Sequence, residues 1–203
     1  MTARPISYSG HMGRALGHTA SELACSERTL RRYINDGVLR GRALETHRFE
    51  LPEAEAAYVR RHWALLRTLR AALRTERNVR LAVLFGSMAT GADGEASDVD
   101  VFVVLADDTY PAPARLQRRL EAALGRRVQV VLARDGGRSP SLLANVLDDG
   151  RVLIDRDRLW LDFEAQRDAT YALAAREQAE TLALVQANMS AAASRRAAVD
   201  GAR

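Results

Sequence analysis

The spacing of apolar and polar positions changes near residue 78 and predicts two kinds of structure. Before this point, apolar residues recur at helical spacing, most clearly along residues 53–77, which contain no Gly or Pro. After it, short apolar runs bounded by turn residues predict strands that alternate with helices. The predicted elements of this second part are strands at 79–85, 99–105, 127–132 and 151–154, and helices at 112–124 and about 140–148.

This order of elements predicts an α+β protein with a small mixed β-sheet and flanking helices. Residues 157–200 also lack Gly and Pro, so we expect one long helix or a helical pair near the C-terminal end. The expected divisions are an N-terminal domain at 1–62, a connecting helix at 63–78, a core at 79–157 and a C-terminal helical segment at 158–203.

Two short helices are predicted in the N-terminal domain. Thr19–Glu22 has the pattern of a capping box, so a first helix is expected to start there and run on to Ala24. Ser26 is placed to cap a second helix, Glu27–Asn35, and Gly37 to end it. Two helices this close together predict a helix-turn-helix, whose second helix presents side chains to the DNA major groove.

The second of these helices carries the residues that we expect to contact DNA, namely Arg28, Thr29, Arg31 and Arg32. A short β-wing at 42–49 and a helix starting near Pro52 are predicted to follow. The strings ERTLRRYINDGVL and HRFELPE resemble the winged helix-turn-helix of the mercury-resistance-regulator (MerR) type. This resemblance implies DNA binding and a homodimer, for which the C-terminal helix could supply the interface. A protein-contact module is the alternative.

The composition fits a globular protein rather than a membrane protein. The chain has 203 residues and 47% hydrophobic content, which is enough to fill a core, and no apolar stretch approaches the roughly 18 residues of a membrane span. The N-terminus lacks the apolar centre of a secretory signal. A single cysteine, Cys25, excludes an internal disulfide, and we therefore expect a cytoplasmic location.

The charge is divided unevenly along the chain. Residues 1–77 hold 14 Arg against 8 acidic residues, a net charge of +6, whereas residues 78–203 hold 16 Arg against 18 acidic residues, a net charge of −2. A basic first third predicts a polyanion-binding module joined to a different second part. A solvated charged face would give the same count.

The strand predicted at 99–105 begins beside two carboxylates. Asp98 and Asp100 are two residues apart, so both side chains are expected on one face of the strand. Two unpaired carboxylates repel one another, which predicts a cation between them. Mg²⁺ fits this place because it takes one or two carboxylates together with phosphate oxygens and water. A pair of arginines would also fit.

Gly86-Ser87 directly follows the apolar run LAVLF and predicts a phosphate-binding turn. Glycine allows the backbone to approach a ligand closely, and the serine hydroxyl and nearby N–H groups can bind phosphate oxygens. Gly91 and Gly94 make the following loop pliable. A phosphate turn beside a metal-binding pair is typical of phosphoryl or nucleotidyl transfer.

The segments LFGSMATGADGEASDVDVFVVL and DDGRVLIDRD resemble the polymerase-β-like nucleotidyltransferases, and particularly the minimal nucleotidyltransferases. The resemblance implies that Gly86 and Ser87 bind the nucleotide phosphates. It implies that Asp98 and Asp100 are the catalytic residues and the ligands of Mg²⁺ or Mn²⁺, with an NTP as substrate or ligand. Minimal nucleotidyltransferases often act as antitoxins, so a cognate toxin protein is an implied partner.

One position departs from this family pattern. Catalytic members usually carry a third carboxylate on the next core strand, where this chain has Gln129 in the run RVQVV. A neutral amide can coordinate a metal weakly but cannot act as a general base near pH 7. Asp135 is a candidate substitute, although it lies beyond the predicted strand.

Three functions therefore stay open. The first is a DNA-binding nucleotidyltransferase that moves NMP, with AMP preferred, from an NTP to a protein or RNA acceptor, as an antitoxin. The second is a transcription regulator whose degenerate nucleotidyltransferase domain binds a nucleotide without turnover. The third, modification of a small molecule such as an aminoglycoside, leaves the DNA-reading module without a use.

Overall fold

The computed structural model of the chain describes residues 14–45, 48–136 and 138–200. Within these residues, the N-terminal part contains a three-stranded antiparallel sheet, two short helices and one long helix. In chain order these elements are β1 (Arg14–Ala15), α1 (Leu16–Glu22), α2 (Glu27–Asn35), β2 (Arg42–Glu45), β3 (Arg48–Leu51) and α3 (Glu53–Thr75).

A four-stranded mixed sheet with helices on both faces forms the second part. The strand order is β6-β5-β4-β7, in which β5 and β6 are parallel and the other neighbours antiparallel. The α+β class and the small mixed sheet are thus confirmed. The elements are β4 (Val79–Phe85), α4 (Ser87–Thr90), β5 (Val99–Leu105), α5 (Ala112–Leu124), β6 (Val128–Leu132), α6 (Ala133–Gly136), α7 (Pro140–Asp149), β7 (Arg151–Asp155), α8 (Leu159–Ala165) and α9 (Arg167–Asp200).

The two faces of this sheet pack against different helices. Along β5, Val101 and Val103 point into the cluster that includes α3 and α5, whereas Phe102 points into a second cluster with α7 and α8. Alternate residues of a strand share a face, so Asp100 lies on the same face as Phe102. The candidate carboxylates therefore stand on the α7–α8 side of the sheet.

The long helix α3 lies between the N-terminal elements and the sheet. A single hydrophobic cluster extends from Leu30 of α2 through Leu66 and Leu69 of α3 to Leu153 of β7, and all four side chains are fully buried. Helix α3 runs without interruption through the predicted boundary between residues 62 and 63. The N-terminal elements and the sheet consequently share one core.

The second predicted helix has the expected ends. The backbone N–H of Thr29 donates to Ser26 Oγ at 3.2 Å, which satisfies one of the free donors of the first turn. Gly37 follows the helix with a φ of +80°, a conformation that favours glycine.

The capping box predicted for the first helix is wrong. Helix α1 begins at Leu16, and Thr19 lies inside it, buried and with its Oγ1 unpartnered among the described residues. Leu16 and Ala20 are one helical turn apart and both are buried. Burial of this apolar face fixes where the helix starts, and the helix has no side-chain cap at Ala15.

The C-terminal segment is the helical pair that was one of two expectations, because the chain turns at Gln166 between α8 and α9. None of the helices in the described part of the chain combines the length and the apolar character that crossing a membrane requires.

Candidate active site

The predicted phosphate turn lies where β4 ends and the short helix α4 begins. Gly86 joins them with a φ of +72° and a ψ of −156°, in the region that favours glycine. A Cβ atom at Gly86 would lie 2.7 Å from Oδ2 of Asp100, far closer than real side chains approach. The backbone conformation therefore favours glycine at residue 86, and any larger residue would also have to displace the Asp100 carboxylate, so the turn closely approaches one of the candidate carboxylates.

The antiparallel pairing of β4 and β5 brings the two motifs together. Phe85 and Asp100 are register partners, and Asp98 immediately precedes β5. Burial and, next, the nearby charge of Asp98 raise the pKa of Asp100 above the ordinary value of a carboxyl group. A second negative charge beside the phosphate turn is thus disfavoured unless a cation compensates it.

Arginine pairing does not account for this carboxylate pair. Within the described residues Asp100 forms no ion pair, and the contact of Asp98 is with Nε of Arg127 at 3.7 Å. The Arg127 side chain is 85% exposed, so this contact contributes little. The alternative of two carboxylates neutralised by two arginines is not what the structure contains.

Gln129 lies directly beside Asp100. The two residues are register partners in the parallel pair of β5 and β6, so their backbones are about 4.8 Å apart and their side chains share a face. The side chain of Gln129 is exposed. Gln129 therefore occupies, on the strand next to Asp100, the position where the resemblance places a third carboxylate.

Asp135 does not substitute for the missing carboxylate. It belongs to α6, which follows the C-terminal end of β6, whereas Asp100 and Gln129 lie near the N-terminal ends of their strands. At that opposite edge of the sheet, the neighbouring Arg134 pairs with Asp108 at 2.9 Å. The length of β6 separates Asp135 from the candidate site.

The donor set at this edge fits Mg²⁺. Two carboxylates with uncompensated charge and an amide oxygen are hard oxygen donors, the type that Mg²⁺ prefers. No group of three or more His, Cys, Asp or Glu side chains suited to a metal occurs in the described part of the chain. Asp98 and Asp100 would thus hold the ion together with water and phosphate oxygens, not as part of an all-protein cage.

Asp93 attaches the loop between the two motifs to α3. Its Oδ1 lies 2.8 Å from Nε2 of His62, and its Oδ2 accepts a hydrogen bond from Arg61 at 3.0 Å. The Nδ1 atom of His62 lies 3.0 Å from the carbonyl oxygen of Tyr58, so both ring nitrogens face acceptors. Sequence patterns gave His62 no role, and the loop that they indicated to be pliable is fixed at Asp93.

We expect the attachment of Asp93 to His62 and Arg61 to weaken in acid. Burial raises the pKa of Asp93, but the hydrogen bond and charge of His62 outweigh it and lower the pKa below its ordinary value. The resulting stability is present above the unfolded pKa and is lost as the pH falls through the folded pKa. The unfolding free energy, measured in urea between pH 6 and pH 3, should fall more steeply for the native chain than for Asp93→Asn. Identical slopes would contradict a stabilising role of the Asp93 contacts.

A buried arginine supports the other end of α4. The guanidinium of Arg151 donates to both oxygens of Glu55, at 2.6 and 3.0 Å, and its Nε donates to the carbonyl of Ala89 at 2.7 Å. It also stacks on the ring of Tyr58 at 3.5 Å, and the Tyr58 hydroxyl donates to the carbonyl of Met88. These contacts satisfy carbonyls that a short helix leaves free. Groups of α3 and β7 consequently hold α4 in place, and with it the phosphate turn.

The Tyr58 side chain lies in a buried environment from which water is excluded. Burial, partly offset by Arg151, raises the pKa of Tyr58 to about 12. Sequence reasoning missed Arg151 and Glu55. The only signal was the position of each: Glu55 lies one turn before Tyr58 on the apolar face of α3, and Arg151 begins an apolar strand.

Gly86→Ala is expected to reduce both stability and nucleotide binding, because the new methyl group meets Asp100. A matched control is Gly125→Ala, since Gly125 has a φ of +67° but open space around its Cβ position. The control should lose about 1–2 kcal/mol for the left-handed backbone alone. Gly86→Ala should lose more, because its ψ of −156° places it in a region that only glycine adopts readily and because the methyl group displaces Asp100. Urea unfolding and nucleotide titration measure the two effects. Equal losses of stability, with nucleotide binding unchanged in both variants, would contradict the contact.

The residues predicted to contact DNA lie together on α2 but differ in their surroundings. Arg28 and Arg32 are exposed and form no ion pair within the described residues. Arg31 donates to Glu27 at 2.7 Å, and the Thr29 hydroxyl lies 3.0 Å from that of Ser26. Among these four residues, Arg28 and Arg32 are therefore the two arginines without an ionic partner in the described part of the chain.

Comparison with known proteins agrees with this geometry. Residues 67–159 match the family model described as Polymerase beta, Nucleotidyltransferase, and this range includes Gly86-Ser87, Asp98 and Asp100. This segment of the chain is thus similar to a polymerase-β-like nucleotidyltransferase domain. The comparison with curated proteins found no match.

Among solved structures, a chain of a toxin–antitoxin complex with AMP-PNP is 28% identical, over 61% of this chain and 98% of that one, with a TM-score of 0.48. A chain of the MntA–HepT toxin–antitoxin complex is 26% identical, over 61% and 96%, with a TM-score of 0.44. A chain of the complex of a tri-AMPylated Shewanella oneidensis HEPN toxin with an MNT antitoxin is 26% identical, over 61% and 95%, with a TM-score of 0.45.

Proposed function

We propose that the chain is a nucleotidyltransferase that transfers a nucleoside monophosphate, AMP as the preferred group, from an NTP to a protein or RNA acceptor. The observation that carries this proposal is the contact between the phosphate turn and the carboxylate pair, in which a Cβ at Gly86 would lie 2.7 Å from Asp100. A phosphate turn alone binds anions, and two carboxylates alone bind cations. Their contact suits a triphosphate carried with its metal.

Each group has a distinct role in this proposal. The backbone N–H groups after Gly86 and the Ser87 hydroxyl bind phosphate oxygens, for which Ser87 is free because its side chain makes no hydrogen bond within the described residues. Asp98 and Asp100 would hold Mg²⁺, which would neutralise triphosphate charge when bound there. The acceptor oxygen forms a bond to the α-phosphorus, the bond from that phosphorus to the bridging oxygen breaks, and pyrophosphate leaves.

The absence of a carboxylate at Gln129 affects the proton of the acceptor, not the binding of the nucleotide. Phosphoryl-type transfer depends mainly on positioning and on charge stabilisation, which Gly86, Ser87 and the two aspartates can supply. The acceptor proton must leave to solvent or to a group of the acceptor itself, because an amide does not take it. We therefore propose slow but real turnover.

The acceptor that we propose is a cognate toxin protein. Its support is the resemblance of LFGSMATGADGEASDVDVFVVL to minimal nucleotidyltransferases, which often act as antitoxins. Transfer of AMP would add a bulky, negatively charged group to the toxin.

The test is transfer of label from each NTP with Mg²⁺, to the chain alone and to the product of the neighbouring gene. Asp98→Ala and Asp100→Ala should each abolish transfer. Asp135→Ala is the matched control, because it removes an exposed carboxylate from the opposite edge of the sheet. Transfer that survives both site variants, or is lost in Asp135→Ala alone, would refute the assignment of the site.

The second candidate is a transcription regulator whose nucleotidyltransferase domain binds a nucleotide without turnover. The position of Gln129 beside Asp100 favours this candidate, since an amide next to the two carboxylates is compatible with binding but cannot act as a general base. Saturable NTP binding that Asp100→Ala weakens, together with no transfer from any NTP, would favour this candidate over the first.

We also propose that the N-terminal elements bind DNA. The support is the exposure of Arg28 and Arg32 and the net charge of +6 over residues 1–77. Arg28→Ala and Arg32→Ala should each weaken retardation of the protein's own upstream DNA and reduce its salt dependence. Arg31→Ala should weaken it less, because Glu27 pairs with Arg31. Retardation unchanged in all three variants would exclude α2 as the DNA-contacting helix.

A further inference from the structure

A groove of about 600 Å³ lies between α2 and α3, well apart from the candidate active site. Its volume falls in the range of small-molecule sites. Among the described residues that line it, none is acidic and four are arginines: Arg32 of α2 and Arg67, Arg70 and Arg74 of α3. We call this feature the arginine groove.

Most of this positive charge has no counterion. Within the described residues, Arg32, Arg67 and Arg74 form no ion pair, and the guanidinium of Arg67 lies 6.0 Å from the ring centre of Trp63. Guanidinium groups gathered around one cavity repel one another. An anion bound between them would remove that repulsion.

Arg70 places further unpartnered donors under the arginine groove. Its side chain is only 5% exposed, one nitrogen donates to Asp36, and its guanidinium stacks on Tyr33 at 4.4 Å. Its Nε and Nη1 atoms have no hydrogen-bond partner among the described residues, and neither has Nε1 of Trp63. Buried donors without partners are costly and uncommon in folded proteins. Because these donor atoms are buried, they favour an anion in the groove through their partial positive charge. The exposed guanidinium groups of the groove are the ones that would contact it.

One end of the arginine groove is the N-terminus of α2. Ser26 and Thr29 both line the groove, and they belong to the cap and first turn of this nine-residue helix. The helix dipole places partial positive charge there, which adds to the attraction for an anion.

The spacing of the arginines indicates the size of the anion. Arg67 and Arg74 are seven residues apart on α3, or about 10.5 Å along the helix axis. At this spacing, linked phosphate groups would give each of the two guanidinium groups a phosphate of its own, whereas a single phosphate would require both side chains to converge on it. Arg32 approaches from the other wall, so such a ligand would be held from two helices.

We propose that the arginine groove binds a small ligand that carries two or more linked phosphate groups. The phosphates of a DNA strand share this chemistry, but a concave groove of this volume suits a small molecule better than a duplex. This inference does not depend on the proposed transfer reaction, because it involves neither Gly86 nor the aspartates.

Calorimetry with inorganic tripolyphosphate tests the proposal. EDTA in the buffer removes divalent metal, so Asp98 and Asp100 repel the probe from the candidate active site. The full chain with Trp160→Phe gives a second signal, because Trp63 is then the only tryptophan. We expect saturable one-site binding and a matching change in Trp63 fluorescence.

Arg67→Gln and Arg74→Gln should each weaken tripolyphosphate binding about tenfold or more, as expected for loss of a charged hydrogen bond. Arg118→Gln removes the same charge from an exposed position on α5 and should leave the affinity unchanged. Equal affinities in Arg67→Gln and Arg118→Gln would overturn the proposal. A second result would also overturn the proposal: tripolyphosphate does not bind, and Arg67→Gln weakens the binding of duplex DNA. The groove would then bind DNA phosphates.

Discussion

Replacing Gln129 with aspartate is expected to raise the rate of nucleotidyl transfer about 100-fold or more. Gln129 and Asp100 are register partners on adjacent parallel strands, so an aspartate there places a third carboxylate on the same face as the first two. A general base typically contributes a factor of about 10² to 10⁴. Label transfer from NTP under single-turnover conditions measures the gain.

The controls separate chemistry from binding. Gln129→Asn keeps a neutral amide on the shorter side chain and should leave the rate near that of the native chain. Gln129→Asp combined with Asp98→Ala should show no gain. Gln129→Asp should also lower the melting temperature without metal, because three carboxylates repel one another, and Mg²⁺ should restore it. An unchanged transfer rate despite this restoration would show that a missing carboxylate does not limit the reaction.

Breaking the Glu55–Arg151 pair is expected to cost about 3–5 kcal/mol of unfolding free energy, the usual range when one partner of a buried ion pair is removed. The two side chains are only 6% and 2% exposed. Glu55→Gln leaves a buried guanidinium without a counter-charge, and Arg151→Met leaves a buried carboxylate. Urea unfolding of each variant measures the loss.

The double variant Glu55→Gln with Arg151→Met identifies the cause. Neither charge of this pair remains in it, so its loss should be smaller than the sum of the two single losses. Arg80→Met is a suitable control, because it breaks a pair with Asp157 in which both side chains are 38% exposed, and it should cost much less. Additive losses at positions 55 and 151 would mean that the two charges do not stabilise each other.

Local rules were sufficient for many elements of this fold. The cap at Ser26 needs only one hydroxyl and one N–H three residues later. The strands at 79–85 and 99–105 and the helix at 112–124 have the predicted bounds, since each is a clear apolar pattern between turn residues. The elements that were not predicted, β1, α4 and α6, have two to four residues and are too short for a period to be visible.

Tertiary burial overrode local rules elsewhere. Thr19 has the sequence of a helix cap, but its position beside the buried Leu16 and Ala20 draws it into the helix. Glu55 and Arg151 are 96 residues apart in sequence, and a pair at that distance follows from the docking of α3 on β7. No local pattern contains that information.

The candidate site could be predicted from local rules only in part. That Asp98 and Asp100 share a face follows from the strand period alone. That Gly86 lies against Asp100, and Gln129 beside it, depends on the order and direction of three strands. The resemblance to nucleotidyltransferases supplied that arrangement, but it left Asp135 as a substitute that the direction of β6 excludes.

The continuous helix α3 limits how this protein can have arisen by recombination of domains. The family match begins at residue 67, in the middle of α3, so a unit cut there would lack Glu55 and Tyr58, which pair with Arg151 and cover it. Exchange of the N-terminal elements for another module would therefore require compensating changes at Arg151 and along the apolar face of α3. Substitutions on the two sides of this junction are therefore expected to depend on one another.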